Sequence, residues 1–196
     1  MDSLKTMARN THIIGIDEAG RGPLAGPIVV AGVKMTPQLA GSILRGIKDS
    51  KKLSPKKREQ WFLRLTSHPK IEWAVARVPH TVIDRVNITQ AGLRGVRLVY
   101  RRLSPAGSVR ARLDGGLFLP AGIPQETIIR GDERVPVIAA ASIIAKVTRD
   151  RHMARLHKKY PQYRFDSHKG YGTKFHREMI RQFGQCDIHR KSFRCI

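Results

Sequence analysis

The chain has little of three things, and each scarcity narrows its function. It holds two cysteines among 196 residues, Cys186 and Cys195, neither in a CxxC pair nor beside a histidine at zinc-finger spacing. A disulfide-stapled scaffold and a zinc module are therefore excluded, and free thiols in a reducing compartment are expected. No apolar run approaches the ~18 residues of a membrane span, and the opening residues have no apolar core that would serve as a signal peptide. Acid is also scarce: 15 Asp and Glu stand against 37 Lys and Arg, for a formal charge of +22. With no internal repeat, low-complexity segment or linker, the expectation is a soluble, cytoplasmic monomer without an obligate protein partner. Residues 1–11 read as a leader, with Met7 a second possible start, and residues 12–196 as one domain with a C-terminal helical part from about 161.

What is present points to a polyanion. The positive charge is spread along the sequence, so it belongs to a folded surface that concentrates DNA or RNA by salt-sensitive attraction. At 41% hydrophobic the chain can bury a substantial core. Against that basic background, Asp17 and Glu18 are conspicuous, since the apolar run Ile13-Ile14-Gly15-Ile16 delivers two adjacent carboxylates and Gly20-Arg21-Gly22 follows at once. Acids there repel phosphates unless divalent cations sit between them, which suggests a metal-dependent enzyme acting on nucleic acid.

The apolar run ending at Asp17 reads as a strand, and residues 27–35 as a second. Residues 38–46 predict a short helix, 49–54 a polar loop, and Ser54 with Pro55 the cap and first position of the next helix. Strands are expected at 71–78, 109–113 and 127–129. Residues 83–103 predict a helix interrupted at Asn87 or Gly92; 136–160 and 174–183 are helical. Strands early and helices later argue one α/β sandwich.

Three places share one grammar, a strand end followed by acid: Asp17-Glu18, Asp114 and Asp132. Strand ends on one sheet edge can bring distant residues together. Converging carboxylates with no nearby His or Cys make a hard oxygen site suited to Mg²⁺ or Mn²⁺, able to hold two ions ~3.5–4 Å apart. Asp114, before Gly115-Gly116, also reads as a turn aspartate, and Asp132 as the N-cap of the following helix.

A resemblance then becomes specific. The run from Gly15 through Gly20-Arg21-Gly22 to Pro27 resembles the opening motif of bacterial ribonuclease HII. The similarity continues through Asp49-Ser50-Lys51-Lys52-Leu53, Leu113-Asp114-Gly115, Gly131-Asp132 and the stretch from Ala140 to Arg151, and ends at His168-Lys169-Gly170-Tyr171 and Ile188-His189-Arg190. It implies an RNase H-like fold, a mixed five-stranded sheet flanked by helices with a small C-terminal helical segment. It also implies a catalytic metal site of Asp17, Glu18, Asp114 and Asp132 binding two Mn²⁺ or Mg²⁺ ions. Asp150, between Arg149 and Arg151, becomes a helix-surface ion-pair partner. Glu133 departs from the family, which commonly has a small or basic residue there.

The resemblance further implies cleavage of the RNA strand of RNA/DNA hybrids, and incision 5′ of single ribonucleotides in duplex DNA to leave 3′-hydroxyl and 5′-phosphate ends, a step of ribonucleotide excision repair. The 2′-hydroxyl is the group that separates RNA from DNA. Gly20, Arg21 and Gly22 can offer backbone groups at close range, and Tyr171 is the family's stacking residue. Lys51, Lys146 and Lys169 are candidates for phosphate contacts, and His168 and His189 for structural hydrogen bonds. Ribonuclease HIII carries an added N-terminal domain and Lys where Arg21 stands. A non-catalytic basic protein would leave the acids unexplained, and type HI ribonucleases need a run of ribonucleotides. No glutamine-and-aromatic tail for docking on a sliding clamp is expected at Cys195-Ile196.

Overall fold

A computed structural model describes residues 12–47, 50–104 and 109–194. The expected leader, Asp49 and Cys195 lie outside the described residues. Five strands form one mixed sheet in the order β3-β2-β1-β4-β5. They are β1 His12–Ala19, β2 Ile28–Met35, β3 Glu72–Val78, β4 Val109–Asp114 and β5 Gln125–Ile128. β1 and β2 run antiparallel, as do β2 and β3, whereas β4 lies parallel to β1 and β5 parallel to β4. The helices are α1 Pro37–Ile43, α2 Pro55–Ser67, α3 His80–Leu103, α4 Gly131–Arg134, α5 Pro136–Lys159, α6 Phe165–His168 and α7 Lys174–Phe183, with a 3-10 turn at Ser50–Lys52. The expected mixed sheet is present. Its strands are interleaved with helices rather than grouped ahead of them, because parallel pairing of β1 with β4 needs a crossover, which α3 supplies.

Alternation along the strands divides the core. Ala31, Val33 and Met35 face α1, α2 and the apolar run of α5 from Val137 to Val147. Ile14, Ile16, Val30, Ala111 and Leu113 face α3 through Val96, Val99 and Leu103. Gly15 lies under α5: a Cβ there would come within 2.2 Å of the Val137 carbonyl oxygen. That close approach seats the N-terminal half of α5 on the strand that carries Asp17 and Glu18.

Local boundaries differ from expectation for identifiable reasons. Ser54 caps α2 by accepting from the Lys57 amide, as its sequence predicts. α1 ends at Ile43 rather than 46, where Gly46 turns at φ +79°. β5 begins earlier and ends at Ile128, since Ile129 points to solvent and Arg130 turns into the left-handed region at φ 54°. The interruption of α3 falls at Asn87 (φ 65°), whose side chain accepts from the Gln90 amide and starts the second half of the helix.

The C-terminal elements form their own cluster of Leu24, Met153, Tyr160, Tyr163, Phe165, Ile180 and Ile188. His176 and His189 are buried within it, against the rings of Tyr163 and Phe165. Among the described residues no helix is long and apolar enough to cross a membrane.

Two predictions follow from this packing. Gly15→Ala should lower stability by about 1–3 kcal/mol, because the added carbon meets backbone rather than a side chain that can swing away; urea unfolding checks it. Burial, the main cause, lowers His176 from the ordinary histidine value to about 4. It is therefore neutral in the fold and takes up a proton on unfolding. Its contribution is complete above the unfolded pKa of ~6.5 and is lost as pH falls towards 4. The stability gap between the natural chain and His176→Gln should narrow across that window, and a constant gap would contradict the neutral assignment.

Candidate active site

The parallel register of β1 and β4 builds the centre of the site. Ile16 pairs with Leu113, so the next step along both strands sets Asp17 beside Asp114, on the α5 side of the sheet. β5 then hands the chain to α4, which carries Asp132. The Asp114 carboxylate accepts from the Gly131 amide at 2.6 Å and the Asp132 amide at 3.4 Å, pinning the start of α4 against the end of β4. Each of Asp17, Asp114 and Asp132 presents one carboxylate oxygen within 4.8 Å of the others. The two local readings of these acids are thereby settled. Asp114 does close a turn, through its carbonyl and the Leu117 amide, yet its carboxylate faces the cluster. Asp132 does not cap the long helix, which starts at Pro136 after Val135.

Glu18 lies beside this triad rather than within it. One of its oxygens is 3.7 Å from Arg21, and the other is buried with no hydrogen-bond partner. Such an orphaned oxygen is costly unless something positive meets it. The electrostatics agree. Burial, then Glu18 and Asp114, raise Asp17 well above the usual carboxylate range. Burial raises Glu18 to about 7, with Asp114 adding to the rise and Arg21 opposing it. Burial and Asp132 raise Asp114. Carboxylates that repel one another in a dry pocket, all oxygen donors, fit a hard divalent cation.

The surroundings fix these acids in place. The Asp17 carboxylate is hydrogen-bonded by Ser142 and by the Glu18 amide, the latter at 2.7 Å. Ser142 in turn meets Ser50 at 2.8 Å. No sequence motif assigns Ser142 a role; its lone hydroxyl in an Ala-rich helix run is the available signal. Lys51 reaches Asp132 at 3.0 Å, and Lys52 reaches Glu133 at 3.0 Å. Glu133 is thus paired with a cation at the surface.

The other expected residues divide. Gly20, Arg21 and Gly22 follow Glu18 directly. Gly20 has φ +98°, and a Cβ there would strike the Arg149 guanidinium at 2.1 Å. Arg21 donates to Thr89 at 2.9 Å, just beyond the α3 kink. Gly22 faces Tyr171, whose ring edge would lie 3.9 Å from a Cβ at that glycine. Tyr171 is 44% exposed, on a loop otherwise tied down, and Arg149 sits over its ring at 5.8 Å. The structure therefore brings the glycine turn and Tyr171 together. Lys169 turns back onto the Asp166 carbonyl. Lys146 pairs with Asp150 at 2.9 Å, with Arg58 at 3.7 Å on the same acid. Asp150 is thus the ion-pair partner expected of it, and Lys146 is committed to it.

The ribonuclease HII family model matches residues 14–112 and 118–196. The chain belongs to the ribonuclease HII family. It is 48% identical to the ribonuclease HII of Chlamydia muridarum (strain MoPn / Nigg), over 93% of this chain and 82% of that protein. Identity to the ribonuclease HII of Xylella fastidiosa (strain M12) is 44%, over 98% of this chain and 81% of that one. The RNase HII of Archaeoglobus fulgidus, solved in a complex with PCNA, superposes with a TM-score of 0.78 at 29% identity, covering 93% of this chain and 95% of that one. The fold is accordingly RNase H-like, and the protein is a ribonuclease H, a hydrolase acting on RNA/DNA hybrids.

Repulsion within the acid cluster gives a direct test. Metal-free Asp17→Asn should melt higher than the natural chain, by roughly 2–4 °C for each kcal/mol of repulsion relieved. Mn²⁺ or Mg²⁺ should raise the melting temperature of the natural chain and not of the variant. Equal metal response in both would remove Asp17 from the binding site.

Proposed function

We propose that this ribonuclease HII cuts a DNA duplex on the 5′ side of a single embedded ribonucleotide, leaving 3′-hydroxyl and 5′-phosphate ends, in addition to cutting the RNA strand of hybrids. The observation that carries the reading is the meeting of Gly22 and Tyr171, in the turn that follows Glu18 and whose Arg21 lies 3.7 Å from the Glu18 carboxylate. On this reading residues 12–196 act as one catalytic domain, with the helical part from about 161 delivering Tyr171 to the rim.

Asp17, Glu18, Asp114 and Asp132 would hold two divalent ions, Mn²⁺ or Mg²⁺. Bound there, such ions supply an activated water and charge stabilisation for the leaving oxygen of a phosphodiester. The residues of the chain do the rest. Gly20 to Gly22 bring backbone groups up to the sugar, where no side chain intervenes and a 2′-hydroxyl can both donate and accept. Tyr171 offers an exposed ring face to the neighbouring deoxyribose. Lys51 stands over Asp132 and faces solvent along most of its length, suited to an incoming phosphate. Lys169 and Lys146 are weaker candidates, as Lys169 folds back onto the Asp166 carbonyl and the Lys146 side chain is largely covered beside Asp150. The +22 charge draws the duplex in and makes binding fall with salt.

Mapping the products from a DNA duplex with one ribonucleotide, with Mg²⁺, Mn²⁺ or chelator, tests the reading. A single metal-dependent cut 5′ to the ribonucleotide is expected, abolished in Asp17→Asn, which should still bind the duplex. Cleavage confined to longer hybrid stretches would overturn the junction assignment.

A further inference from the structure

Behind the glycine turn and Tyr171 lies a buried polar frame whose arginine is bonded to backbone carbonyls. Arg190 is fully buried. Its guanidinium donates to the Gly20 carbonyl at 2.6 Å, the Arg21 carbonyl at 3.0 Å and the Gly26 carbonyl at 3.0 Å. Among the described residues it makes no ion pair. A desolvated cation without an acid partner is a poor way to gain stability, and an apolar side chain of similar volume would serve at least as well. What a guanidinium adds is geometry: several donors in one rigid plane, which a lysine cannot reproduce.

That geometry has a consequence for the turn. In a planar trans peptide the carbonyl and the following N–H point in opposite directions. Drawing the Gly20 and Arg21 carbonyls inward onto Arg190 therefore turns the Arg21 and Gly22 N–H groups away from the buried side, towards the exposed face where Gly22 meets Tyr171.

His189, the preceding residue, does the same for Tyr171. Its Nδ1 lies 2.9 Å from the Cys186 backbone N and 3.2 Å from the Cys186 carbonyl and Sγ. Because the Tyr171 carbonyl can only accept, the neutral His176 ring has its proton on Nδ1 and its Nε2 accepts, so the His189 proton is on Nε2. That nitrogen donates to His176 Nε2 at 3.1 Å. His176 Nδ1 in turn donates to the Tyr171 carbonyl at 2.9 Å. One dipeptide thus grips both halves of the rim. It is tied to the intervening chain by the Ala25–His189 bridge and by Arg190 N–H donating to the Leu24 carbonyl at 2.8 Å.

We infer that His189 and Arg190 are positioning residues for ribonucleotide recognition: Arg190 aims the amides of the glycine turn, and His189, through His176, sets Tyr171 at the matching height. The inference rests on the reading of Gly20 to Gly22 and Tyr171 as the ribonucleotide reader, and the test separates the two.

The full chain is assayed on a DNA duplex containing one ribonucleotide, with kcat and KM measured alongside melting temperature. The variants are Tyr171→Ala, Arg190→Lys, their double, His189→Asn and His189→Gln. Tyr171→Ala and Arg190→Lys should each lower kcat/KM roughly ten- to hundredfold, the size of effect that follows misplacement by about an ångström. Because they act on one unit, the double should lose no more than the worse single. His189→Gln, whose amide nitrogen reaches where Nε2 donates, should keep most activity, and His189→Asn, which falls short, should not. Multiplying losses in the double, full activity in a folded Arg190→Lys, or equal behaviour of the two His189 variants would overturn the inference. Should Arg190→Lys fail to fold, the His189 pair decides alone. Full activity of Tyr171→Ala would instead overturn the reader assignment beneath it.

Discussion

The parallel pairing of β1 with β4 is the contact on which the site depends. It sets Asp17 beside Asp114 at the same level of the sheet, and β5, parallel again, returns the chain so that Asp132 closes the group. Like charges in a buried pocket raise one another's proton affinity and strain the fold that holds them. The apolar packing of α5 over Gly15 and α3 over the other face supplies the stability that lets the sheet hold them there. The unpartnered oxygen of Glu18 belongs to the same picture, as an acceptor held ready rather than satisfied.

The distribution of charge follows a related logic. Cations on the outside are many, while the two buried arginines near the turn, Arg149 and Arg190, are spent on carbonyls of the 20–27 segment. Arg149 donates to the Pro27 and Ala25 carbonyls and packs so closely on Gly20 that only glycine fits. The segment between β1 and β2 has no regular hydrogen bonding of its own. Its shape is imposed by the Arg149 side chain from α5 and by both side chains and backbone of the C-terminal part of the chain.

Much of this was legible in the sequence. The strand-then-acid grammar at Asp17, Asp114 and Asp132 marked the carboxylates, and the order of motifs carried the family. The resemblance, in which the fourth acid follows the glycine ahead of the long helix, chose Asp132 over Asp150, and the structure pairs Asp150 with Lys146 and Arg58. Less legible were residues whose roles depend on a partner that no motif pairs them with. Ser142 reads as packing until its hydroxyl meets Asp17. Lys146 reads as a phosphate ligand until Asp150 is seen one turn later. His176 carried no motif at all.

The sequence by itself determined which residues are acidic at strand ends, where the glycines permit a tight turn, and the excess of positive charge that suits a nucleic-acid partner. Those are local or summed properties, set by propensity, periodicity and composition. Only the tertiary structure decided that three aspartates share one pocket with Glu18 at its edge, and that Tyr171 stands opposite Gly22. It alone bound His189 and Arg190 to both sides of that gap. Each of these is a contact between segments separated by tens of residues or more, and such contacts exist only once sheet register and helix packing have chosen one of the many ways to close the chain.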